Sequence, residues 1–234
     1  MLDFKTLFSA RYILSYLGFL CTLVVYFCRV NLSIAIVAMT EEKNTTLANG
    51  TIVTESDFDW STNEQTNLLG SYFYGYVCTQ IPGAYLSSRF GFKWILFTTT
   101  LITSIITIVT PFLADLSYIS IFISRIILGL FHGVTFPVLQ GNSFSHKNWQ
   151  HFISCLFTKG CWSVWGPPLE RSQLIAIYIA GNSVGTCLIF PLGGFLADSD
   201  WGWRSIFYVT GGCGIFWCVL WVLLAFDSPA QHPR

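Results

Sequence analysis

Charged residues are scarce in this chain, and their scarcity excludes several classes of protein. Asp, Glu, Lys and Arg make up 10% of the 234 residues, whereas a soluble domain usually carries about 25%. The 12 basic residues balance the 12 acidic ones, so no excess of positive charge is available to bind nucleic acid. Apolar residues reach 53%, which is typical of a chain that lies largely within a lipid bilayer.

The chain also lacks the residue patterns of catalytic and metal sites. No nucleophile and base stand at a spacing that predicts catalysis, so we expect no enzyme activity, no catalytic residue and no cofactor. The cysteines are irregularly spaced and mostly lie in apolar segments. Such positions favour small packing residues over a disulfide framework or a metal site. The cysteines are Cys21, Cys28, Cys78, Cys155, Cys161, Cys187, Cys213 and Cys218.

Six long apolar segments are present, and each is long enough to cross a bilayer as a helix. They predict an all-α membrane protein with six transmembrane helices. The first segment is roughly 27 residues long, which exceeds the apolar core of a signal peptide, so we expect it to be retained. The segments cover residues 12–38, 65–87, 94–113, 118–140, 173–197 and 204–226.

The loops between these segments predict which side of the membrane each one faces. Residues 39–64 form a polar loop with two N-glycosylation acceptors, Asn44 and Asn49, so we expect this loop on the lumenal or extracellular side. Most loop lysines and arginines lie on the opposite side, which the positive-inside rule assigns to the cytosol. The segments expected in the cytosol are residues 1–11, 88–93, 141–172 and 227–234.

The fourth apolar segment combines three features in one stretch. On a helix, Arg125, Gly129, His132 and Phe136 share one stripe, because they follow each other at spacings of four, three and four. Gly129 and Gly133 form a GxxxG pair, which predicts close packing against a neighbouring helix. The segment therefore offers a cation, a titratable side chain and a thin packing face.

Two arginines lie inside apolar segments at a similar depth. At ~1.5 Å per helical residue, Arg29 and Arg125 are each about 10–14 Å below the outer surface, and His132 is about 10 Å deeper. The six apolar segments contain no Asp or Glu. Because intramembrane charges commonly mark substrate paths, we interpret the two arginines as an anion site. The alternative is that each arginine binds a backbone carbonyl or extends toward the membrane surface.

His132 has two interpretations of its own. A lone histidine on a helix face is commonly a packed, hydrogen-bonded residue. Its unperturbed pKa of ~6.5 would also suit a group that couples transport to protons. The sequence leaves both roles open.

Several short motifs along the chain belong together. The stretch Tyr26–Ser33 has the sequence YFCRVNLS, and Pro167–Ser172 has the sequence PPLERS. The others are Gly70–Tyr76, Thr79–Gly83, Gly133–Pro137, Phe207–Val209 and Asp227–Ala230. Together they resemble the organic-anion branch of the major facilitator superfamily, the anion:cation symporters, which includes sialin, the vesicular glutamate transporters and the type I sodium–phosphate cotransporters.

The resemblance implies a fold and a function. Family members are twelve-helix transporters that work by alternating access, so this chain would form the N-terminal half. Their first and fourth helices line a central cavity, which implies that Arg29 and Arg125 contact a substrate carboxylate or phosphate. Tyr74 matches an aromatic residue of the second helix that lines the cavity. Many members have a glutamate linked to proton coupling where this chain has His132.

The resemblance also covers the loop after the second helix. Arg89, Gly91 and Lys93 match the superfamily's gating-loop motif, whereas Ser88 stands where an aspartate is usual. Three choices stay open: the anion (sialate, glutamate, urate or phosphate), the coupling ion (H⁺ or Na⁺), and the membrane (lysosome, synaptic vesicle or plasma membrane).

The chain departs from the family in two places. Residues 142–161 form an atypical insertion between Gly141 and the motif at Trp162–Pro168, and we expect this insertion to lie outside the helical bundle. Its histidines and cysteines fit no tight zinc template. The chain stops within the family's central loop, so residues 227–234 would be a truncated loop.

Two functions therefore remain as hypotheses. One is half of an anion transporter that works with a second half. The other is a non-transporting membrane fragment that binds or interferes with a full-length homologue.

Overall fold

The computed structural model describes residues 10–41, 43–46, 52–90, 92–140 and 171–225. Within them the chain forms six α-helices and one β-hairpin. The six helices confirm the all-α membrane fold expected from the apolar segments. The elements are α1 (Ala10–Thr40), β1 (Lys43–Thr46), β2 (Ile52–Glu55), α2 (Thr62–Phe90), α3 (Phe92–Leu116), α4 (Tyr118–Gln140), α5 (Arg171–Ala197) and α6 (Arg204–Leu224).

Five of these helices are long and apolar enough to cross a membrane by length and composition. They are α1, α3, α4, α5 and α6. The helix α2 has 29 residues, so its length suffices, but polar residues such as Asn67, Thr79 and Gln80 lower its hydropathy. A membrane helix that borders an internal site can carry such residues, because protein rather than lipid surrounds them.

Glycines bring three pairs of helices into close contact. A Cβ on Gly129 or Gly133 of α4 would meet backbone carbonyl oxygens of α2, and a Cβ on Gly75 of α2 would meet one of α4. Gly181 packs in the same way from α5 against α1, and Gly211 from α6 against α3. Small residues at helix crossings allow this approach, so the close packing expected from Gly129 and Gly133 is confirmed.

Buried apolar side chains form two clusters at opposite ends of the bundle. One contains Leu14, Leu96 and Trp221, which lie at the ends of α1, α3 and α6 that we predict to be cytosolic. The other contains Met39 and Trp203 at the predicted lumenal ends of α1 and α6. Arg29 and Arg125 lie between these layers, on the side of the second cluster.

The segment that connects α1 to α2 has more structure than a polar loop. The strands β1 and β2 pair antiparallel, with Asn44 opposite Thr54. Asn49 lies between the strands, outside the described residues. Both glycosylation sites remain predictions, and within the expected loop 39–64 the structure shows a hairpin followed by a docked segment.

The docked segment, residues 56–61, connects helix ends that we predict to be lumenal. The indole of Trp203 donates a hydrogen bond to Asp57 (2.7 Å), and the amide of Phe58 donates to the carbonyl of Met39 (3.1 Å). The rings of Phe58 and Trp60 stack with their centroids 4.7 Å apart, and Tyr118 packs edge-on against Trp60. Contacts from α1, α4 and α6 thus converge on one short segment.

Candidate functional site

Arg29 and Arg125 line the same cavity. It has a volume of about 130 Å³ and lies between α1, α2 and α4. A volume of about 10–15 Å³ suffices for one water molecule, so the cavity has room for the head group of an anion. The lining residues are Arg29, Val30, Leu32, Ser33, Leu68, Leu69, Tyr72, Phe73 and Arg125.

Arg125 is held by neutral hydrogen-bond acceptors. Its side chain is only 2% exposed. Nη1 donates to the carbonyl oxygen of Cys28 (3.3 Å), and both Nη1 and Nη2 donate to Oδ1 of Asn31 (3.2 Å each). The guanidinium carbon also lies 5.6 Å from the centre of the Phe207 ring. None of these groups is charged, so the guanidinium keeps its net positive charge.

Asn31 connects three helices and was not identified as a site residue from the sequence. It is fully buried on α1. Besides accepting from Arg125 of α4, it donates from Nδ2 to the hydroxyl of Thr210 on α6 (3.1 Å). The signal that could have identified it is an amide side chain within an apolar segment, two residues after Arg29. Burying such a group costs free energy unless it is hydrogen-bonded, so a partner could have been expected.

Arg29 is held by aromatic rings. Its guanidinium carbon lies 4.9 Å from the ring centre of Phe73, 5.2 Å from that of Tyr26 and 5.4 Å from that of Tyr72. Tyr76 adds a fourth ring at 5.9 Å. Cation–π contacts stabilise a cation without neutralising it. The side chain is partly exposed, so it can reach a bound ligand.

No carboxylate in the described part of the chain lies in this cavity. The ion pair that those residues do show is Arg204–Asp115 (2.9 Å), which is exposed at the first turn of α6 and the last turn of α3. The Nε of Arg125 is buried, and no partner for it exists among the described groups. Two positive charges thus face one small cavity without a counter-ion from these residues.

His132 lies behind the cavity and contacts it through Tyr72. It is 1% exposed, and a hydrogen bond of 3.2 Å joins its Nδ1 to the hydroxyl oxygen of Tyr72. The two rings pack edge to face with centroids 5.9 Å apart. His132 is therefore a packed, hydrogen-bonded residue that touches a wall of the cavity, and its role in coupling stays a prediction.

Tyr74 does not line the small cavity of the two arginines, and its place in a central cavity completed by a second half stays a prediction. Its side chain is 63% exposed and borders a separate surface cavity with Asn67 and Phe122. Successive helical residues are rotated by about 100°, so Tyr72 and Tyr76 share the face toward Arg29 while Tyr74 points away. The aromatic residues of α2 at the site are therefore Tyr72, Phe73 and Tyr76.

The remaining sequence-predicted residues lie elsewhere. Lys93 is at the start of α3, where its ammonium donates to the carbonyl of Val222 in the last turn of α6 (3.4 Å). Arg89 is in the last turn of α2, and Gly91 is outside the described residues. No group of three or more metal-ligating side chains occurs within the described ranges. The histidines and cysteines of residues 142–161 fall outside those ranges.

Comparisons with known proteins agree with this architecture. Residues 18–144 and 161–234 match the family model of the Major Facilitator Superfamily. Human sialin (Homo sapiens) is 37% identical over an alignment 241 positions long, which covers 97% of this chain and 45% of that protein. Sialin of Ovis aries is 36% identical over 239 residues (96% and 44%). Vesicular glutamate transporter 1 of Xenopus laevis is 33% identical over 223 residues (95% and 35%).

Two features of these matches bear on the organisation of the chain. The chain spans less than half the length of these curated relatives, as a six-helix half of the fold would. The family model leaves residues 145–160 unmatched, and these lie within the segment 142–161 that interrupts the motifs.

Proposed function

This chain belongs to the major facilitator superfamily, and we propose that it supplies the anion-binding half of a transporter for small organic or inorganic anions. The observation that carries the proposal is the shared cavity of Arg29 and Arg125. Two cations at one cavity without a carboxylate among the described residues attract an anion, because each charge is buried or shielded from bulk water. The similarity to vesicular glutamate transporters supports a carboxylate as the substrate group.

Each arginine has a distinct role in this proposal. Arg125 is a fixed charge at the base of the cavity, since Asn31 and Cys28 hold its guanidinium. Arg29 is the adjustable charge in this proposal, since it packs on rings rather than on hydrogen-bond acceptors of the cavity wall and its side chain is partly exposed. A planar guanidinium can grip a carboxylate or phosphate with two parallel hydrogen bonds.

A second half would close the cavity in the working transporter. Transporter sites normally lie at the interface of two repeats or halves. Large side chains such as Val77 and Ile81 of α2 and Leu188 and Phe195 of α5 are exposed in the described part of this chain. These faces are available to a second six-helix half or, under the alternative hypothesis, to a full-length homologue that the fragment would inhibit. To separate the two roles, the chain is coexpressed with that homologue and the homologue's anion uptake is measured. An inhibitory fragment would lower this uptake.

We also propose that transport is coupled to H⁺ or Na⁺ through alternating access, with His132 as the coupling residue. The support is its hydrogen bond to Tyr72, whose ring forms a wall of the cavity and lies against Arg29. A change at His132 would thus reach the anion site through one side chain. Replacing sodium by choline tests the role of Na⁺. Proton uptake on addition of L-glutamate, measured for the unmodified chain and for His132→Gln, tests the role of H⁺ and of His132. Equal proton uptake in both proteins contradicts the role of His132.

The test of the anion site is a binding measurement on the whole chain in lipid nanodiscs. L-glutamate, sialate and inorganic phosphate are titrated separately at constant ionic strength, with sodium chloride as the reference salt. We expect at least one of the three anions to raise the melting temperature saturably. Arg29→Ala should weaken the affinity for that anion at least tenfold.

The matched control is Arg204→Ala. Arg204 is also an arginine near the lumenal side, but it is exposed and paired with Asp115 outside the cavity. Affinity in this variant should stay within twofold of the parent. Equal affinities in Arg29→Ala and the parent would refute the anion site.

A further inference from the structure

The orientation of the Asn31 amide is determined by its partners. The hydroxyl of Thr210 donates to the carbonyl of Ile206 (2.7 Å), so toward Asn31 it can only accept. The NH₂ group of Asn31 must therefore face Thr210. The amide oxygen is left to face Arg125, where it accepts from both terminal nitrogens of the guanidinium.

A neutral acceptor at this position has a specific electrostatic consequence. An amide oxygen holds the guanidinium in place but leaves its full charge available to a ligand in the cavity. A carboxylate of the same shape would hold it more strongly, because a charge-assisted hydrogen bond is roughly twice as strong as a neutral one. It would also cancel the charge that an anion needs.

We propose that Asn31 is a specificity-determining positioning residue, which fixes Arg125 with a neutral oxygen so that the cavity stays cationic and selects anions. Asn31 does not itself line the cavity and acts through Arg125. The inference rests on the proposed function, and it adds a residue on α1 and its partner Thr210 on α6 to the anion site.

Three variants of the whole chain in nanodiscs test this inference. Asn31→Asp keeps the shape of the side chain and adds a negative charge toward Arg125. Asn31→Leu removes the acceptor at similar volume. Asn67→Asp is the matched control, since it adds the same charge at an exposed position of α2 outside the arginine cavity. Each variant is titrated with L-glutamate, sialate and inorganic phosphate, and its melting temperature is recorded without anion.

Stability and affinity should separate in Asn31→Asp. We expect its melting temperature to equal or exceed that of the parent, because the new carboxylate pairs with a guanidinium that is already buried and the Thr210 hydroxyl can turn from the Ile206 carbonyl to donate to it. Its affinity for the anion that the parent binds should fall at least tenfold. Asn31→Leu should lose both stability and affinity, and Asn67→Asp should change affinity less than twofold.

A purely structural role for Asn31 makes a different prediction, namely that affinity follows stability. Asn31→Asp that is stable and binds within twofold of the parent would overturn the inference while the proposed function stands. A melting temperature clearly below that of the parent would also overturn it, because the carboxylate would then not be pairing with Arg125. A parent chain that binds none of the three anions would refute the proposed function itself, and the inference with it.

Discussion

At the scale of single residues, the two arginines of the cavity carry the same charge in different surroundings. Arg125 donates three hydrogen bonds that tie α4 to α1. Arg29 packs against four rings and is partly exposed. Arg125 therefore contributes to the stability of the bundle as well as to the site, whereas Arg29 contributes mainly to the site. The carbonyl-binding alternative considered for both arginines describes part of what Arg125 does.

Lysine substitutions should separate these contributions. Arg125→Lys should lower the free energy of unfolding by about 2 kcal/mol, because hydrogen bonds from charged groups contribute roughly 1.5–3 kcal/mol and an ammonium cannot reproduce the fork. Arg29→Lys should change it by less than about 1 kcal/mol, since lysine also makes cation–π contacts. Both variants should lose anion affinity. Thermal unfolding and anion titration provide the two measurements, and a larger loss of stability in Arg29→Lys would contradict the assignment.

At the scale of helices, close packing depends on where each glycine faces. Gly129, Gly133 and Gly75 lie between α2 and α4, and a side chain at any of them would collide with backbone of the opposite helix. Gly212 on α6 is exposed, and a Cβ there would meet nothing within 4 Å. The same residue type is therefore a packing requirement at one position and a weak helix former at another.

Alanine substitutions should distinguish the two kinds of glycine. Gly129→Ala should lower the free energy of unfolding by about 1–3 kcal/mol, because the added methyl group would push Tyr72 backbone and hence α2 away from α4. Gly212→Ala should be neutral or raise it by up to about 1 kcal/mol, since alanine favours a helix over glycine. Unfolding in mixed detergent micelles measures both. Equal stability of Gly129→Ala and the parent would show that α2 and α4 can separate without cost.

At the scale of the whole molecule, the helix pairs are arranged as two three-helix repeats. Glycines bring together three helix pairs, α2–α4, α1–α5 and α3–α6. In a repeat of α1–α3 by α4–α6, α1 corresponds to α4, α2 to α5 and α3 to α6. This correspondence converts the pair α2–α4 into α5–α1 and leaves α3–α6 unchanged. Inverted three-helix repeats occur within each half of a major facilitator fold. The arrangement places α1 and α4, which carry the arginines, in equivalent positions.

The orientation of the chain in the membrane is a testable property of the whole molecule. With both termini in the cytosol, Asn44 and Asn49 face the lumen and should be glycosylated when the chain is expressed in mammalian cells. Peptide N-glycosidase should then shift the band to lower apparent mass, and the double variant Asn44→Gln/Asn49→Gln should already run at that position. A band that the enzyme does not shift would contradict the predicted orientation.

Deleting residues 142–161 tests whether this segment belongs to the bundle. The family model passes over residues 145–160, and the apolar run Phe152–Phe157 is too short to span a membrane. We therefore expect the deletion to preserve or increase the amount of monodisperse protein after detergent extraction. Aggregation of the deleted form, with the parent monodisperse, would show that the segment supports the fold.

Much of the site was predictable because the free-energy cost of a charge in an apolar segment can be recognised from that segment alone. A charge in an apolar segment is expensive wherever the helix packs, so Arg29 and Arg125 stand out from the chain alone, and their equal depth follows from counting residues. Tyr74 could not be placed in this way. Its contacts depend on the rotation of α2 about its own axis, which is decided by the glycine contacts with α4.

The sequence by itself determined the six helices, the two intramembrane cations and the close approach at Gly129, because segment length, charge and residue size act within one helix. Only the tertiary structure decided which groups hold those cations. The hydrogen bonds from Arg125 to Asn31 and from Asn31 to Thr210 join residues that are 94 and 179 positions apart. Such contacts depend on the angles at which α1, α4 and α6 meet, and packing sets those angles once the whole bundle has assembled.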